Sequence, residues 1–133
     1  MAPSAMDTVL AHLQGMGTVP EDYDLIVTGD LGILGRELLI SLLIEKGLEV
    51  PQEKLFDCGA SIFAGEQDAH CGGSGCGCAA SMLCAHILPE IASGRLGRVL
   101  FLATGALMST TSSMQGESIP GIAHAVVLRH REG

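Results

Sequence analysis

The sequence predicts an α/β fold in which helices cover both faces of a mostly parallel sheet. Helical and extended apolar segments alternate along the 133 residues, which is typical of parallel strands joined by crossover helices. The last two extended segments are joined by a loop, so the final strand is expected to be antiparallel. Hydrophobic residues make up 47% of the chain and aromatic residues only 3%, so the core of this single domain must be aliphatic.

Three helices are predicted. The first runs from about residue 3 to 15, because a capping-box pattern that begins at Ser4 precedes apolar residues at helical spacing. The second is the apolar-rich segment 33–46, which a glycine ends. The third is 76–92, where Pro89 in the final turn should kink or shorten the helix.

Four strands are predicted from short apolar runs. They are residues 24–28, the weak segment 55–59, residues 99–104 and residues 121–130. Segments 61–75 and 105–120 are predicted to be irregular loops, the second of them rich in Ser and Thr.

Composition and charge exclude several classes of protein. Seven Lys and Arg face fifteen Asp and Glu, for a net charge of −8, which argues against a nucleic-acid partner. The apolar runs are too short to span a membrane, and no basic segment precedes an apolar block at the N-terminus, so neither a transmembrane helix nor a secretory signal is expected. The five clustered cysteines indicate free thiols in a reducing compartment.

The segment 70–81, HCGGSGCGCAAS, concentrates four glycines, three cysteines and a histidine ahead of the third helix. A glycine-rich turn that leads into a helix leaves backbone N–H groups free, and the helix dipole adds partial positive charge. An anion-binding turn is therefore predicted, with these ligand-binding residues: Gly73, Ser74, Gly75, Cys76 and Gly77. The alternative is that the glycines only allow a helix to pack tightly on the sheet.

Asp30 follows the first predicted strand, where open α/β sheets place ligand contacts. It is the sixth candidate ligand-binding residue. The alternative is that its carboxylate caps the helix that follows.

Metal binding and nucleophilic catalysis are the other chemistries that this segment suggests. Cys71, Cys76 and Cys78 with His70 have the spacing C-x4-C-x-C, which matches neither common zinc sites nor iron–sulfur sites, so no metal and no cofactor is expected. A thiol at a helix N-terminus favours its thiolate, which makes Cys76 a candidate nucleophile. It could equally be a small residue that lines a cavity.

Four segments in order carry a family resemblance: DLIVTGDLG at 24–32, SGCGCA at 74–79, ATGA at 103–106 and ESIPGIAHA at 117–125. Together they resemble the second half of the stage V sporulation protein AD family, in the thiolase-like superfamily. The similarity extends from about residue 2 to 128.

The resemblance implies one half of a thiolase-like fold, which runs β-α-β-α-β-α-β-β, with the first strand missing. In that fold the first strand lies mid-sheet, between the second and the fourth. Its absence would leave buried backbone groups unpaired on two neighbouring strands, at about 1–3 kcal/mol each. A truncated or split form is therefore expected, and a rearranged sheet or a strand borrowed from another chain is the alternative.

The resemblance also implies a function. It predicts a non-catalytic protein of endospore formers that binds dipicolinic acid, with or without calcium, and aids its uptake into the forespore and its release at germination. The expected partners are the membrane proteins of the same stage V A operon, the missing N-terminal half and a second copy of the chain. The expected location is the forespore or spore, peripheral to the spore inner membrane.

Catalytic residues are not expected. The superfamily takes its nucleophilic cysteine from the first half, and the corresponding catalytic positions of the second half hold Gly29, Cys76 and Ala103 here. Glycine and alanine side chains transfer no protons, and Cys76 has no evident base beside it in the sequence. Two alternatives remain: an acyltransferase or condensing-enzyme fragment that uses Cys76, and a structural half-domain whose function needs an upstream segment.

Overall fold

The computed structural model describes residues 1–106 and 109–131, and the backbone alone at position 76. Its strands are β1 (Leu25–Thr28), β2 (Leu55–Asp57), β3 (Arg98–Ala106) and β4 (Gly121–Arg129). They form a four-stranded sheet in the order β2-β1-β3-β4. β1 is parallel to both β2 and β3, and β4 is antiparallel to β3. The predicted α/β fold, with a mostly parallel sheet and an antiparallel last strand, is confirmed.

The helices surround this sheet. They are α1 (Ala2–Met16), α2 (Gly32–Glu45), α3 (Cys58–Ser61), α4 (Cys76–Met82), α5 (Leu88–Ala92) and α6 (Thr110–Met114). A π-helical turn, Leu83–Ile87, joins α4 to α5, so the helical run covers the whole predicted segment. Pro89 is the second residue of α5, directly after this turn. The wider turn accommodates a residue that has no N–H, and the helix continues past it.

Two apolar clusters fill the space between helices and sheet. On one face, α1 and α2 pack over Ile26, Leu100 and Leu102. On the other face, the helical run from α4 to α5 packs over Val27 and Phe101. Because neighbouring residues of β1 and β3 point to opposite faces, both strands are buried from both sides.

The sheet has no gap at its centre. β1 and β3 pair directly, with Leu25 opposite Val99 and Thr28 opposite Leu102. These are the two strands between which the resemblance places a missing first strand. The expectation that their edges remain unpaired is therefore wrong, because each strand satisfies the other's backbone groups.

Two segments differ from their prediction. The second strand ends at Asp57 rather than residue 59, because the Asp57 carboxylate accepts a hydrogen bond from the Ala60 N–H and starts α3. The loop predicted at 105–120 is shorter, because β3 continues to Ala106 and α6 forms within it. The Ser109 hydroxyl caps α6 by accepting from the Ser112 N–H. Residues 107 and 108 of this loop lie outside the described part.

Candidate functional site

Asp30 joins three separate segments through its side chain. Its Oδ1 accepts a hydrogen bond from the Thr104 hydroxyl at 2.8 Å. Its Oδ2 accepts from the Gly75 N–H at 2.9 Å and from the Ser74 hydroxyl at 3.3 Å. The end of β1, the C-terminal part of β3 and the glycine-rich turn therefore meet at one carboxylate.

A cavity of about 460 Å³ opens at this junction. Its lining residues are Met1, Asp30, Ser74, Gly75, Thr104, Gly105 and Ala106. It lies beyond the carboxyl end of β1, where parallel sheets commonly bind ligands. Three of the six predicted ligand-binding residues, Asp30, Ser74 and Gly75, line it.

Asp30 does not cap the second helix, so that alternative interpretation is wrong. The residue that caps α2 is Asp57, whose Oδ2 accepts from the Leu31 N–H and whose Oδ1 accepts from the Gly32 N–H, both at 2.9 Å. Asp57 is buried and also accepts from the hydroxyl of Thr28 at 2.7 Å. Sequence reasoning missed this residue, although it ends β2 and Asp30 lies just beyond the end of the neighbouring strand β1.

The glycine-rich turn packs against the backbone in its first half. Gly73 donates its N–H to the Gly59 carbonyl at 2.7 Å. Gly72 has a φ of 110°, and a Cβ there would overlap the same Gly59 carbonyl. These two glycines therefore allow close packing of the turn against α3, rather than of a helix against the sheet. The second half of the turn, Ser74 and Gly75, faces Asp30 instead.

The remaining predicted residues face a different cavity or lie outside the described residues. Gly73 and Gly77 line a second cavity, of about 370 Å³, together with Ile62, Phe63 and Cys78. Ser74 lines both cavities. The Cys76 side chain is outside the described part, and its backbone begins α4. The six residues are therefore not brought together in one pocket.

Burial and nearby carboxylates together affect two thiols, Cys58 and Cys78. Burial raises the pKa of the Cys78 thiol, and the charge of Asp30 raises it further. Burial and Asp57 raise the pKa of Cys58 to about 12. Both thiols are therefore protonated near neutral pH, although each lies in the first turn of a helix, where thiolates are usually favoured.

Gly29, one of the positions that the sequence resemblance aligns with catalytic residues, is closely packed. A Cβ at Gly29 would lie 2.7 Å from the Thr104 hydroxyl and 3.3 Å from the Ala79 methyl group, so a larger side chain would force these neighbours to shift. The part of the chain that the structure describes holds no group of three His, Cys, Asp or Glu side chains placed to bind a metal ion.

Comparison with known proteins gives two matches. The family model of stage V sporulation protein AD (SpoVAD) matches residues 1–129. Stage V sporulation protein AD of Bacillus subtilis (strain 168) is 43% identical over 133 residues, which is 100% of the chain. The chain spans 39% of the length of that relative.

Proposed function

The chain belongs to the stage V sporulation protein AD family, and from this premise we propose that it is a non-catalytic module that binds dipicolinic acid during sporulation. Dipicolinate is a flat pyridine ring with two carboxylates, so its site must supply hydrogen-bond donors and balance negative charge. The ligand would reach the forespore by uptake and leave it at germination, as the sequence resemblance implies.

The cavity beside Asp30 is the observation that carries this proposal. At about 460 Å³ it lies within the ~300–1,000 Å³ range of small-molecule sites. The hydroxyls of Ser74 and Thr104 and the N–H of Gly75 are polar groups at its wall. They can bind a ligand carboxylate if Asp30 gives up its hydrogen bonds to them.

The charge of Asp30 decides which form of the ligand suits this cavity. A free dicarboxylate would be repelled by the Asp30 carboxylate, which already occupies the Gly75 N–H. Calcium removes this conflict, because it takes six to eight oxygen ligands and can be shared between the ligand carboxylates and Asp30. We therefore propose that dipicolinate binds here as its calcium complex.

The rest of the protein is the partner that this module needs most. On β4, Ile122 and Val126 are 51% and 54% exposed and point to the sheet face that α4 and α5 cover only in part. We propose that the remaining part of the protein covers these side chains and completes the pocket. A second copy of the chain is the alternative occupant.

The membrane proteins of the same operon are proposed as further partners, at the inner membrane of the forespore or spore. None of the helices in the described residues is both long and apolar enough to cross a bilayer.

Titration calorimetry with dipicolinate, with and without calcium, tests the proposal. The chain alone is expected to bind weakly, and binding should strengthen when the rest of the protein is supplied as a second polypeptide. Calcium should strengthen it further. Asp30→Asn should abolish the calcium effect, whereas Asp68→Asn, at an exposed carboxylate, should leave it unchanged.

Each other outcome has a definite meaning. If the chain alone binds as tightly as the two parts together, the remaining part contributes nothing to the pocket. If neither the chain nor the two parts together bind dipicolinate, the proposed function is wrong. Isophthalate, which has two carboxylates but no ring nitrogen, is the matched control ligand and should bind more weakly in every case.

A further inference from the structure

Two arginines face each other at the end of the sheet opposite the Asp30 cavity. Arg98 begins β3 and Arg129 ends β4, and they are direct partners in the antiparallel pairing. Side chains of such partners lie on the same face of the sheet, with Cβ atoms about 5 Å apart. Like charges in this position repel each other, so this pair lowers the stability of the fold.

Neither guanidinium has a carboxylate partner among residues 1–106 and 109–131. The ion pairs within those residues are Asp68 with His70 and Glu90 with Arg95. Asp24 lies beside β3, but its Oδ2 accepts from the backbone N–H of Gly97 and of Arg98 rather than from a guanidinium. In a chain of net charge −8, two uncompensated cations on one surface are unexpected.

The Arg98 guanidinium is held in place while one of its donors stays unused. It lies 4.5 Å above the centroid of the Tyr23 ring, and its Nη2 donates to the Tyr23 hydroxyl at 3.2 Å. The same hydroxyl is hydrogen-bonded to His12 Nε2 at 2.7 Å, which fixes the arrangement. The Arg98 Nε is shielded from solvent and has no hydrogen-bond partner in the described structure. Arg98 therefore does not satisfy all of its donors within the described residues.

The neighbouring histidine is affected by this charge. Burial lowers the pKa of His12, and the positive charge of Arg98 lowers it further. His12 is therefore neutral near pH 7, and it adds no positive charge of its own to the arginine pair.

We infer that Arg98 and Arg129 form a binding site for an oxyanion, a phosphate or carboxylate group that accepts hydrogen bonds from both guanidiniums. Arginine suits this chemistry, because its planar fork of donors matches two oxygens of one anion. The anion balances both charges and accepts from those guanidinium donors of the two arginines that remain accessible to solvent. A free phosphate ester and an anionic lipid headgroup share this chemistry. The site is separate from the Asp30 cavity and does not depend on the function proposed above.

Inorganic phosphate is the first probe, with the arginine Nε–H resonances of the nitrogen-15-labelled chain as the readout. The Arg98 resonance should shift in a saturable way as phosphate is added. Arg129→Gln should weaken the apparent affinity about tenfold, because one charge-assisted contact is lost. The control Arg95→Gln removes an arginine that already pairs with Glu90, and it should leave the affinity unchanged.

Vesicles distinguish the two sources of the anion. If the ligand is a lipid headgroup, vesicles of phosphatidylglycerol should retain the chain and phosphatidylcholine vesicles should not, and Arg129→Gln should release it. If the ligand is a free anion, phosphate should bind while neither vesicle retains the chain. The inference is overturned if neither phosphate nor vesicles bind, or if Arg129→Gln and Arg95→Gln have equal effects. The dipicolinate titration should be insensitive to Arg129→Gln in every case.

Discussion

Asp30 and Thr104 bind each other twice, across 74 positions of the chain. The Thr104 hydroxyl donates to Asp30 Oδ1 at 2.8 Å, and Thr104 Oγ1 in turn accepts from the backbone N–H of Asp30 at 3.0 Å. The pair ties the end of β1 to β3 at the wall of the candidate cavity. It fixes both the position of the carboxylate and the direction in which it points.

Thr104→Val should destabilise the fold by about 1–3 kcal/mol, because the variant leaves the Asp30 N–H without its partner and removes a donor to the carboxylate. Chemical denaturation measures this loss. If the function proposed above is right, the calcium-dependent binding of dipicolinate should also weaken, because Asp30 is no longer held.

Thr111→Val is the matched control for that variant. Thr111 is exposed on α6, so its change should stay within about 0.5 kcal/mol. Equal stability of the two variants would show that the Asp30–Thr104 pair contributes nothing to the fold.

Asp57→Asn should cost at least about 3 kcal/mol of unfolding free energy. The buried carboxylate accepts four hydrogen bonds, from Thr28, Leu31, Gly32 and Ala60. An amide replaces one acceptor oxygen by an NH2 group, which then faces donors that it cannot bind. Asp7→Asn, at an exposed position of α1, is the control and should be nearly neutral. A comparable loss in both variants would contradict the capping role of Asp57.

Alkylation rates should separate the cysteines into two classes. The pKa of Cys58 is raised from 9.0 to about 12, so near neutral pH its thiolate fraction is about a thousandfold below that of an ordinary thiol. Cys71 and Cys84 are exposed and should react first with iodoacetamide, as followed by peptide mass spectrometry. Cys58 labelling at the rate of Cys71 would refute this assignment.

The same experiment bears on the enzyme alternative. If Cys76 is not an activated nucleophile, it should react no faster than the exposed thiols. Labelling of Cys76 well ahead of Cys71 would contradict the proposal that the chain is non-catalytic.

Much of the fold could be predicted from the sequence, because buried strands have a recognisable pattern of apolar residues. β1 and β3 are buried on both faces, so they appear as short continuous apolar runs. The segment after β2 is harder to predict, because its course depends on one buried carboxylate. Nothing in the local sequence shows that Asp57 accepts donors from the start of α2, some 25 residues away.

The candidate site was predictable only in part, for a similar reason. The pattern of glycines shows where backbone can approach closely, but not which neighbour it approaches. Gly72 and Gly73 pack against Gly59, whereas Ser74 and Gly75 face Asp30. The local sequence cannot show which half of the turn contacts which partner, because Gly59 and Asp30 both come from other segments of the chain.

The fold should lose stability as the pH falls below about 6.5, through His12. Its pKa is lowered in the folded chain from the ordinary value of 6.5, by burial and by Arg98. The unfolded chain therefore binds a proton more readily, and acid favours unfolding. The contribution of His12 is fully present above 6.5 and is lost as the pH falls through the folded-state pKa. Denaturation at a series of pH values between about 7 and 5 measures it.

His12→Gln should flatten this part of the pH profile, because glutamine does not titrate and its amide can still bind the Tyr23 hydroxyl. His70→Gln removes an exposed histidine and should leave the profile as it is. The contribution of Arg98 to the lowered pKa of His12 can be tested separately. Arg98→Gln in the wild-type background should make the profile shallower, since part of the lowered pKa of His12 comes from that charge. If the profile is identical in the wild-type chain and in the three variants, His12 is not the titrating group. That result would also weaken the case that Arg98 lacks a counter-charge.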